Sequence, residues 1–211
     1  MQSNVKLNLS LDTLIEIIAS ALGLIGIFLQ IKQNPLYWLT SILMVSLYIY
    51  VFFVSKFYAD MAFQFYYLAI SIYGWIYWAK SRNKRTRERN TDSKVQNESK
   101  LEVNVLNRKL LLYSIVLSLI FYVVIYLILS RLTNSDVPHG DAFTTALSIV
   151  ATFLLARKFI ENWIFWIIVD AVSLGLYIYK GLYPTAILFF ALTILAFVGY
   201  FKWKKELENL C

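Results

Sequence analysis

The feature that most limits how this chain can fold is a series of seven long apolar runs separated by polar segments. A membrane-spanning helix needs roughly 20 mostly apolar residues, and each run is close to that length. None of the runs alternates apolar and polar residues as a transmembrane β-strand does. The sequence therefore predicts an all-α membrane protein with seven transmembrane helices. The runs are Leu14–Ile31, Pro35–Val54, Tyr58–Ala79, Leu110–Ser130, Asp141–Ala156, Trp163–Tyr179 and Tyr183–Phe201.

Composition supports this class and excludes several kinds of site. Hydrophobic residues make up 59% of the chain and charged residues 16%, whereas soluble domains have about 45–50% and about 25%. With one cysteine (Cys211) and one histidine (His139), the chain cannot build a disulfide framework, a thiol metal cluster or a multi-histidine haem site. We therefore expect no metal, no cofactor and no enzyme, because a single aspartate deep in a span, with no intramembrane histidine or cysteine, supplies neither a nucleophile nor an acid–base pair.

Lysine and arginine predict the orientation in the membrane. The loops on one side carry sixteen of these residues and those on the other side carry four. Because cytoplasmic loops hold the excess, the N-terminus is predicted outside and the C-terminus inside. The net charge of +7 is then a topology signal, and no nucleic-acid partner is expected. The first 13 residues lack the basic start and cleavage site of a signal peptide, so the first run is interpreted as a retained helix.

Two parts of the chain resemble each other. Asn34–Trp38 resembles Asn162–Trp166 at an offset of 128 residues, Leu47–Tyr50 resembles Leu176–Tyr179 at 129, and Gly74–Trp78 resembles Gly199–Trp203 at 125. Both parts start on the same side of the membrane, which predicts a parallel repeat of three helices, one linker helix and three helices. Such repeats about an axis along the membrane normal are typical of transporters.

The predicted organisation follows from the runs and the repeat. The segment Ser81–Asn107 has many charges and almost no apolar residues, so we expect a flexible linker, with a patch for anionic lipid or a partner as the alternative. The predicted parts are an outer tail (1–13), a first three-helix repeat (14–79), a basic cytoplasmic loop (80–109), a linker helix (110–130), an outer loop (131–139), a second three-helix repeat (140–203) and a cytoplasmic tail (204–211).

Polar residues inside the predicted spans indicate where a ligand would bind. Asp170 lies seven residues into the sixth run, roughly 10 Å inside the cytoplasmic boundary, and ionisable residues at such depth mark function by default. Two helix faces rich in aromatic and hydrogen-bonding groups suit a flat, cationic ring with a polar part. The faces consist of Trp163, Trp166, Asp170, Ser173 and Tyr177 in the sixth run, and of Asp60, Gln64, Tyr67, Ser71 and Trp78 in the third.

The candidate ligand-binding residues taken from these observations are Trp163, Trp166, Asp170, Gln64, Tyr67 and Trp38. Alternatives stay open for several of them. An aromatic belt at the cytoplasmic interface explains Trp38 without a ligand, Gln64 can bond a neighbouring helix, and Asp170 can have a structural partner. The residues Arg157, Lys158 and Glu161 are expected to form a solvated inner turn.

The run Trp163-x-x-Trp166-x-x-x-Asp170 resembles the Trp-x-x-Trp-x-x-x-Asn/Asp motif of the PnuC nicotinamide riboside transporters. Further similarities to that family are Tyr58-Ala-Asp-x-x-x-Gln64, Tyr73-Gly-Trp75-x-x-Trp78, Lys180-Gly-Leu-Tyr183 and Gly199-Tyr-x-x-Trp203. The resemblance implies a SWEET-like seven-helix fold and a homotrimer in the bacterial inner membrane. It also implies facilitated diffusion of nicotinamide riboside, which cytoplasmic phosphorylation then traps.

By position in the motifs, the resemblance implies that Trp163, Trp166, Asp170 and Gln64 contact the ligand. Related transporters carry thiamine, which is also a cationic aromatic compound. Thiamine or another vitamin is therefore the alternative substrate, and a membrane receptor that transports nothing is the alternative function.

Overall fold

The computed structural model describes residues 18, 22–23, 25–54, 58–91, 103–133 and 136–209. In these residues the chain forms seven helices, and their only β-bridge is an isolated one between Asn104 and Phe159. The prediction of an all-α protein is confirmed. The helices are α1 (25–31), α2 (Leu36–Val54), α3 (Tyr58–Thr91), α4 (Arg108–Leu132), α5 (Pro138–Ala156), α6 (Asn162–Tyr179) and α7 (Tyr183–Glu208).

Five of these helices, α2 and α4 to α7, are long and apolar enough to cross a membrane. Most of the first predicted span precedes the described part of α1. In α3, the five tyrosines and two tryptophans between Tyr58 and Ala79 lower the mean hydropathy, although the helix is long enough. The seven predicted helices are therefore found, while membrane crossing by α1 and α3 stays a prediction.

The surfaces of these helices suit a lipid environment. Along α4, large apolar side chains such as Leu112, Ile115 and Leu119 are more than half exposed, and an apolar surface of this kind favours contact with lipid or another protein. Hydroxyl groups within the spans donate to the carbonyl four residues earlier, as Ser118 does to Ser114 and Thr152 to Ser148. Such bonds satisfy polar groups where no water is present.

The chain divides into two compact units, Met1–Leu101 and Glu102–Cys211. In the first unit α2 packs against α3. Helix α1 lies against α2, because a Cβ atom at Gly26 of α1 would be 3.4 Å from the Thr40 hydroxyl and 3.7 Å from the Tyr37 ring. In the second unit α4 packs on α5, α5 on α6, and α6 on α7.

The internal repeat is present in the structure at a single offset of 125 residues. The ends of α1 and α5, of α2 and α6, and the starts of α3 and α7 are all related by this offset. The turns before α2 and α6 have the same backbone: Gln33 and Lys158 have φ values of 54° and 58°. Their hydrogen bonds also match, for example Asn34 to Leu29 and Phe159 to Leu154.

This register corrects part of the sequence comparison. The offset of 125 predicted from Gly74–Trp78 and Gly199–Trp203 holds throughout, whereas the offsets of 128 and 129 for the two earlier segments are wrong. Trp38 corresponds to Trp163 and not to Trp166. The apparent match arose because Trp166 repeats the residue type of Trp163 three positions later in the same helix.

The segment predicted as a flexible basic loop is partly ordered. Helix α3 continues past Ala79 to Thr91, and residues 103–107 bond to the turn between α5 and α6. In that turn Arg157 is exposed as expected, but Lys158 is only 1% exposed. The expectation of a solvated turn is wrong for Lys158, because residues 103–107 pair with this turn, and the Lys158 carbonyl accepts from the Asn104 amide at 2.8 Å.

Candidate ligand-binding site in the second repeat

Helix α6 carries three of the predicted site residues, Trp163, Trp166 and Asp170. The helix is apolar over most of its length, and in a membrane its backbone groups must bond within the helix. Residues three and four apart on a helix share a face, so Trp166 lies beside both Trp163 and Asp170. Of the predicted face, Trp163, Asp170 and Ser173 are buried, and Trp166 and Tyr177 are half-buried.

Trp163 is held between α6 and α7 by packing. It is fully buried, lies against Gly199 and meets Trp203 edge-on with ring centroids 5.5 Å apart. Trp38 has the same position in the first repeat: it is fully buried, lies against Gly74 and meets Trp78 edge-on at 5.5 Å. Since both repeats contain this arrangement, helix packing accounts for Trp163 and Trp38. Contact of either with a ligand stays a prediction.

The repeats differ at the position of Trp166. Its counterpart in the first repeat is Ser41, whose hydroxyl lies 2.8 Å from that of Ser71 and links α2 to α3. In the second repeat the corresponding residues are Trp166 and the buried Ala196. A hydrogen bond between two helices in the first repeat is thus replaced in the second by a large aromatic ring beside a small residue. The packing of Trp38 and Trp163 against glycine does not require this replacement.

The repeats differ again at Asp170, one helical turn further on. Its counterpart is Val45, and both residues are buried, with exposed fractions of 5% and 2%. An aliphatic side chain therefore fills this position in the first repeat. No group in the described part of the chain forms a hydrogen bond or ion pair with the Asp170 carboxylate. A buried carboxylate is costly without a partner, so this position favours a role in binding over one in packing.

Trp166 lies beside the hydrophobic core of the second unit. It packs against the cluster formed by Val150, Ala151, Leu154 and Phe165. Its indole Nε1 is buried and has no hydrogen-bond acceptor among the described residues. The ring therefore packs on this core and keeps an unused donor, as Trp163 and Trp38 also do. Contact of Trp166 with a ligand stays a prediction.

Two of the three predicted residues of the first repeat, Gln64 and Tyr67, lie on α3. Gln64 and Tyr67 are both half-buried, and Tyr67 meets Tyr66 edge-on with centroids 5.4 Å apart. Gln64 has no hydrogen-bond partner within the described ranges, and its contact with a ligand stays a prediction. Ser71, on the same face, is buried and bonded to Ser41, so its hydroxyl links α3 to α2.

The chemistry of Trp166 and Asp170 suits a cationic aromatic ligand. An indole face attracts a cation through its quadrupole, and the attraction is stronger in a desolvated site. A carboxylate one turn away can accept hydrogen bonds from hydroxyl or amide groups and offset a positive charge. The described residues contain no cluster of histidine, cysteine, aspartate or glutamate suited to a metal ion.

The sequence of this chain is similar to those of known transporters. The sequence profile of the family described as nicotinamide mononucleotide transporter matches residues 13–205. The nicotinamide riboside transporter PnuC of Escherichia coli strain K12 is 26% identical over 213 aligned positions, covering 90% of this chain and 84% of its own. The PnuC of Shigella flexneri gives the same values.

The fold is similar to a solved structure described as the vitamin B3 transporter PnuC. The TM-score is 0.70 with 21% sequence identity, over 98% of this chain and 87% of the other. The expected resemblance is confirmed, as are the predictions of a multi-pass bacterial membrane protein and of a transporter and not an enzyme.

Proposed function

The chain belongs to the nicotinamide mononucleotide transporter family, and from that premise we propose that it carries nicotinamide riboside across the membrane. The observation that carries this proposal is the difference between the repeats: Trp166 and the unpartnered Asp170 stand where the first repeat has Ser41 and Val45. In this proposal the pyridinium ring lies on Trp166, and Asp170 accepts hydrogen bonds from the carboxamide or the ribose. Trp163 keeps α6 in place against α7.

The unphosphorylated riboside fits this site better than the mononucleotide. Helix α6 contains no lysine or arginine, so the helix offers no cation to a phosphate. Asp170 would repel a phosphate group. The names of the two bacterial relatives refer to the riboside, which supports the same choice. Thiamine satisfies the requirements of ring and charge and therefore serves as the competing substrate in the test.

Transport follows from the repeat. We propose that the two three-helix repeats are parallel, that α4 links them, and that the N-terminus lies outside and the C-terminus inside. The binding site is exposed to each side of the membrane in turn, and Gln64 and Tyr67 stay predicted ligand contacts. Movement is facilitated diffusion, because among the described residues Asp170 is the one buried carboxylate and no cluster suited to a metal ion is found. The functional assembly is a homotrimer.

The experiment is uptake of labelled ligand by liposomes that contain the purified protein. Nicotinamide riboside should enter and equilibrate without a proton or sodium gradient, and unlabelled riboside inside should accelerate exchange. Preference for thiamine would change the substrate, and preference for the mononucleotide would contradict the role given to Asp170. Dependence on a pH gradient would contradict facilitated diffusion. Binding without uptake would indicate a receptor.

A further inference from the structure

The five residues Val103–Asn107, here called the strap, lie directly before the start of α4. The strap pairs with the turn between α5 and α6. The Asn104 amide donates to the Lys158 carbonyl at 2.8 Å, and the Ile160 amide donates to the Asn104 carbonyl at 2.9 Å. The Asn104 side chain donates to the Arg157 carbonyl at 3.0 Å. The strap thus forms hydrogen bonds with three backbone polar groups of this turn.

A fourth bond joins the strap to the first residue before α6. The Leu106 amide donates to Oε1 of Glu161 at 3.0 Å. Glu161 occupies the N-cap position of α6, but its side chain makes no bond to the helix itself. Its carboxylate is therefore used to hold the strap against the end of the helix that bears Trp163 and Trp166.

The equivalent turn of the first repeat lacks one of the donors of this pairing. Its turn has the same backbone, but the residue that corresponds to Ile160 is Pro35, which has no amide hydrogen to donate. There the Asn34 side chain accepts from the Leu36 amide at 3.0 Å instead. The strap is thus a feature of the second repeat, which also holds the Trp166 and Asp170 differences.

The strap also contributes apolar contact where Trp166 lies. The side chain of Leu106 packs against the cluster of Val150, Ala151, Leu154 and Phe165, and Trp166 packs against the same cluster. Val103, at the start of the strap, is 5% exposed. The strap therefore supports both the start of α6 and the apolar surface on which the indole rests.

From these contacts we propose that Asn104, Leu106 and Glu161 are positioning residues that set the orientation of Trp166. The consequence for ligand binding rests on the proposed function, whereas the effect on the ring itself does not. Small displacements of a positioning group cost affinity because the ligand loses its aligned contact. The strap thereby ties the loop between the two repeats to the binding residue of the second.

The test reads the Trp166 ring directly by ¹⁹F NMR of the full-length protein labelled with 5-fluorotryptophan. The chain has six tryptophans, and the Trp166 signal is assigned as the one absent from Trp166→Phe. We expect Glu161→Ala and Leu106→Ala to shift or broaden the Trp166 signal while the Trp38 and Trp78 signals stay in place. Glu161→Gln keeps the acceptor oxygen and should restore the original signal.

The matched control is Asn34→Ala, which removes the side-chain bond at the equivalent turn of the first repeat and should leave the Trp166 signal unchanged. An unchanged Trp166 signal in both Glu161→Ala and Leu106→Ala would overturn the proposal. Should those variants fail to fold, Asn104→Ala removes one bond only and decides the question by the same signal.

Transport gives the second measurement. Glu161→Ala should raise the KM for nicotinamide riboside about tenfold with little change in the maximal rate, and Glu161→Gln should not. A fall in maximal rate at unchanged KM would contradict positioning. Failure of the unmodified protein to carry the riboside would overturn the proposed function, while the ¹⁹F signals would still decide the role of the strap.

Discussion

The indole ring of Trp163 lies directly over Gly199, so closely that a Cβ atom at residue 199 would come within 2.5 Å of the ring. At the equivalent position of the first repeat, the ring of Trp38 lies over Gly74 in the same way. Each glycine is required because its helix must approach a tryptophan ring on the neighbouring helix. The two contacts fix α6 against α7 and α2 against α3.

Gly199→Ala and Gly74→Ala should therefore both destabilise the protein, each by about 1–3 kcal/mol, the usual cost of overpacking. The control is Gly175→Ala, because nothing lies within 4 Å of a Cβ at that residue. That variant should be neutral or stabilising, since alanine favours the helix over glycine. Thermal unfolding in detergent measures all three. Equal Tm values for Gly199→Ala and Gly175→Ala would contradict the packing described here.

Trp166 and Trp163 should respond differently to truncation. Trp166→Ala should weaken riboside binding by about 1–2 kcal/mol, the scale of a desolvated cation–π contact, with a small loss of Tm. Trp163→Ala should lower the stability by about 3–5 kcal/mol, because it empties a fully buried position. Binding titrations and thermal unfolding separate the two effects. The control is Trp75→Ala, because Trp75 is 43% exposed, and this variant should change neither the affinity nor the Tm. Unaltered riboside affinity in Trp166→Ala would exclude Trp166 from the binding site.

Asp170→Val should abolish riboside binding without loss of stability. The physical reason is the equivalent Val45, which is buried at the same position of the first repeat; valine also removes an unpartnered buried carboxylate. Asp170→Asn keeps the size and the hydrogen-bonding oxygen but removes the charge, so it measures how much the charge contributes. A Tm in Asp170→Val well below that of the unmodified protein would indicate a structural role instead.

The hydrogen bond between Ser41 and Ser71 should contribute modestly to the stability of the first repeat. A double-mutant cycle with Ser41→Ala and Ser71→Ala should give a coupling energy of about 0.6 kcal/mol, as is usual between helices in a membrane. Ser46 bonds its own helix at the Ile42 carbonyl, so a cycle of Ser46→Ala with Ser71→Ala should give no coupling. Equal coupling in the two cycles would contradict the bond.

Much of the fold is determined by the sequence alone. Helices in a membrane must bury apolar length and satisfy their backbone internally, so the apolar runs gave the seven helices and most of their bounds. Lys80 to Thr91 were missed because a charged stretch that continues a helix lacks the apolar pattern on which the prediction depended. The Trp163, Trp166 and Asp170 motif identified the candidate site because ionisable residues are rare inside a membrane span.

How these residues pack became evident from the three-dimensional arrangement alone. Trp163 and Trp166 are the same residue type three positions apart, and sequence comparison equated the wrong one with Trp38. The packing of Trp163 on Gly199 and of Trp38 on Gly74 set the true register, because a ring can overlap a glycine only at one helix rotation. The strap could not be predicted from the sequence for a similar reason. Its hydrogen bonds join residues more than 50 positions apart along the chain, and local sequence patterns do not indicate which distant residues will pair.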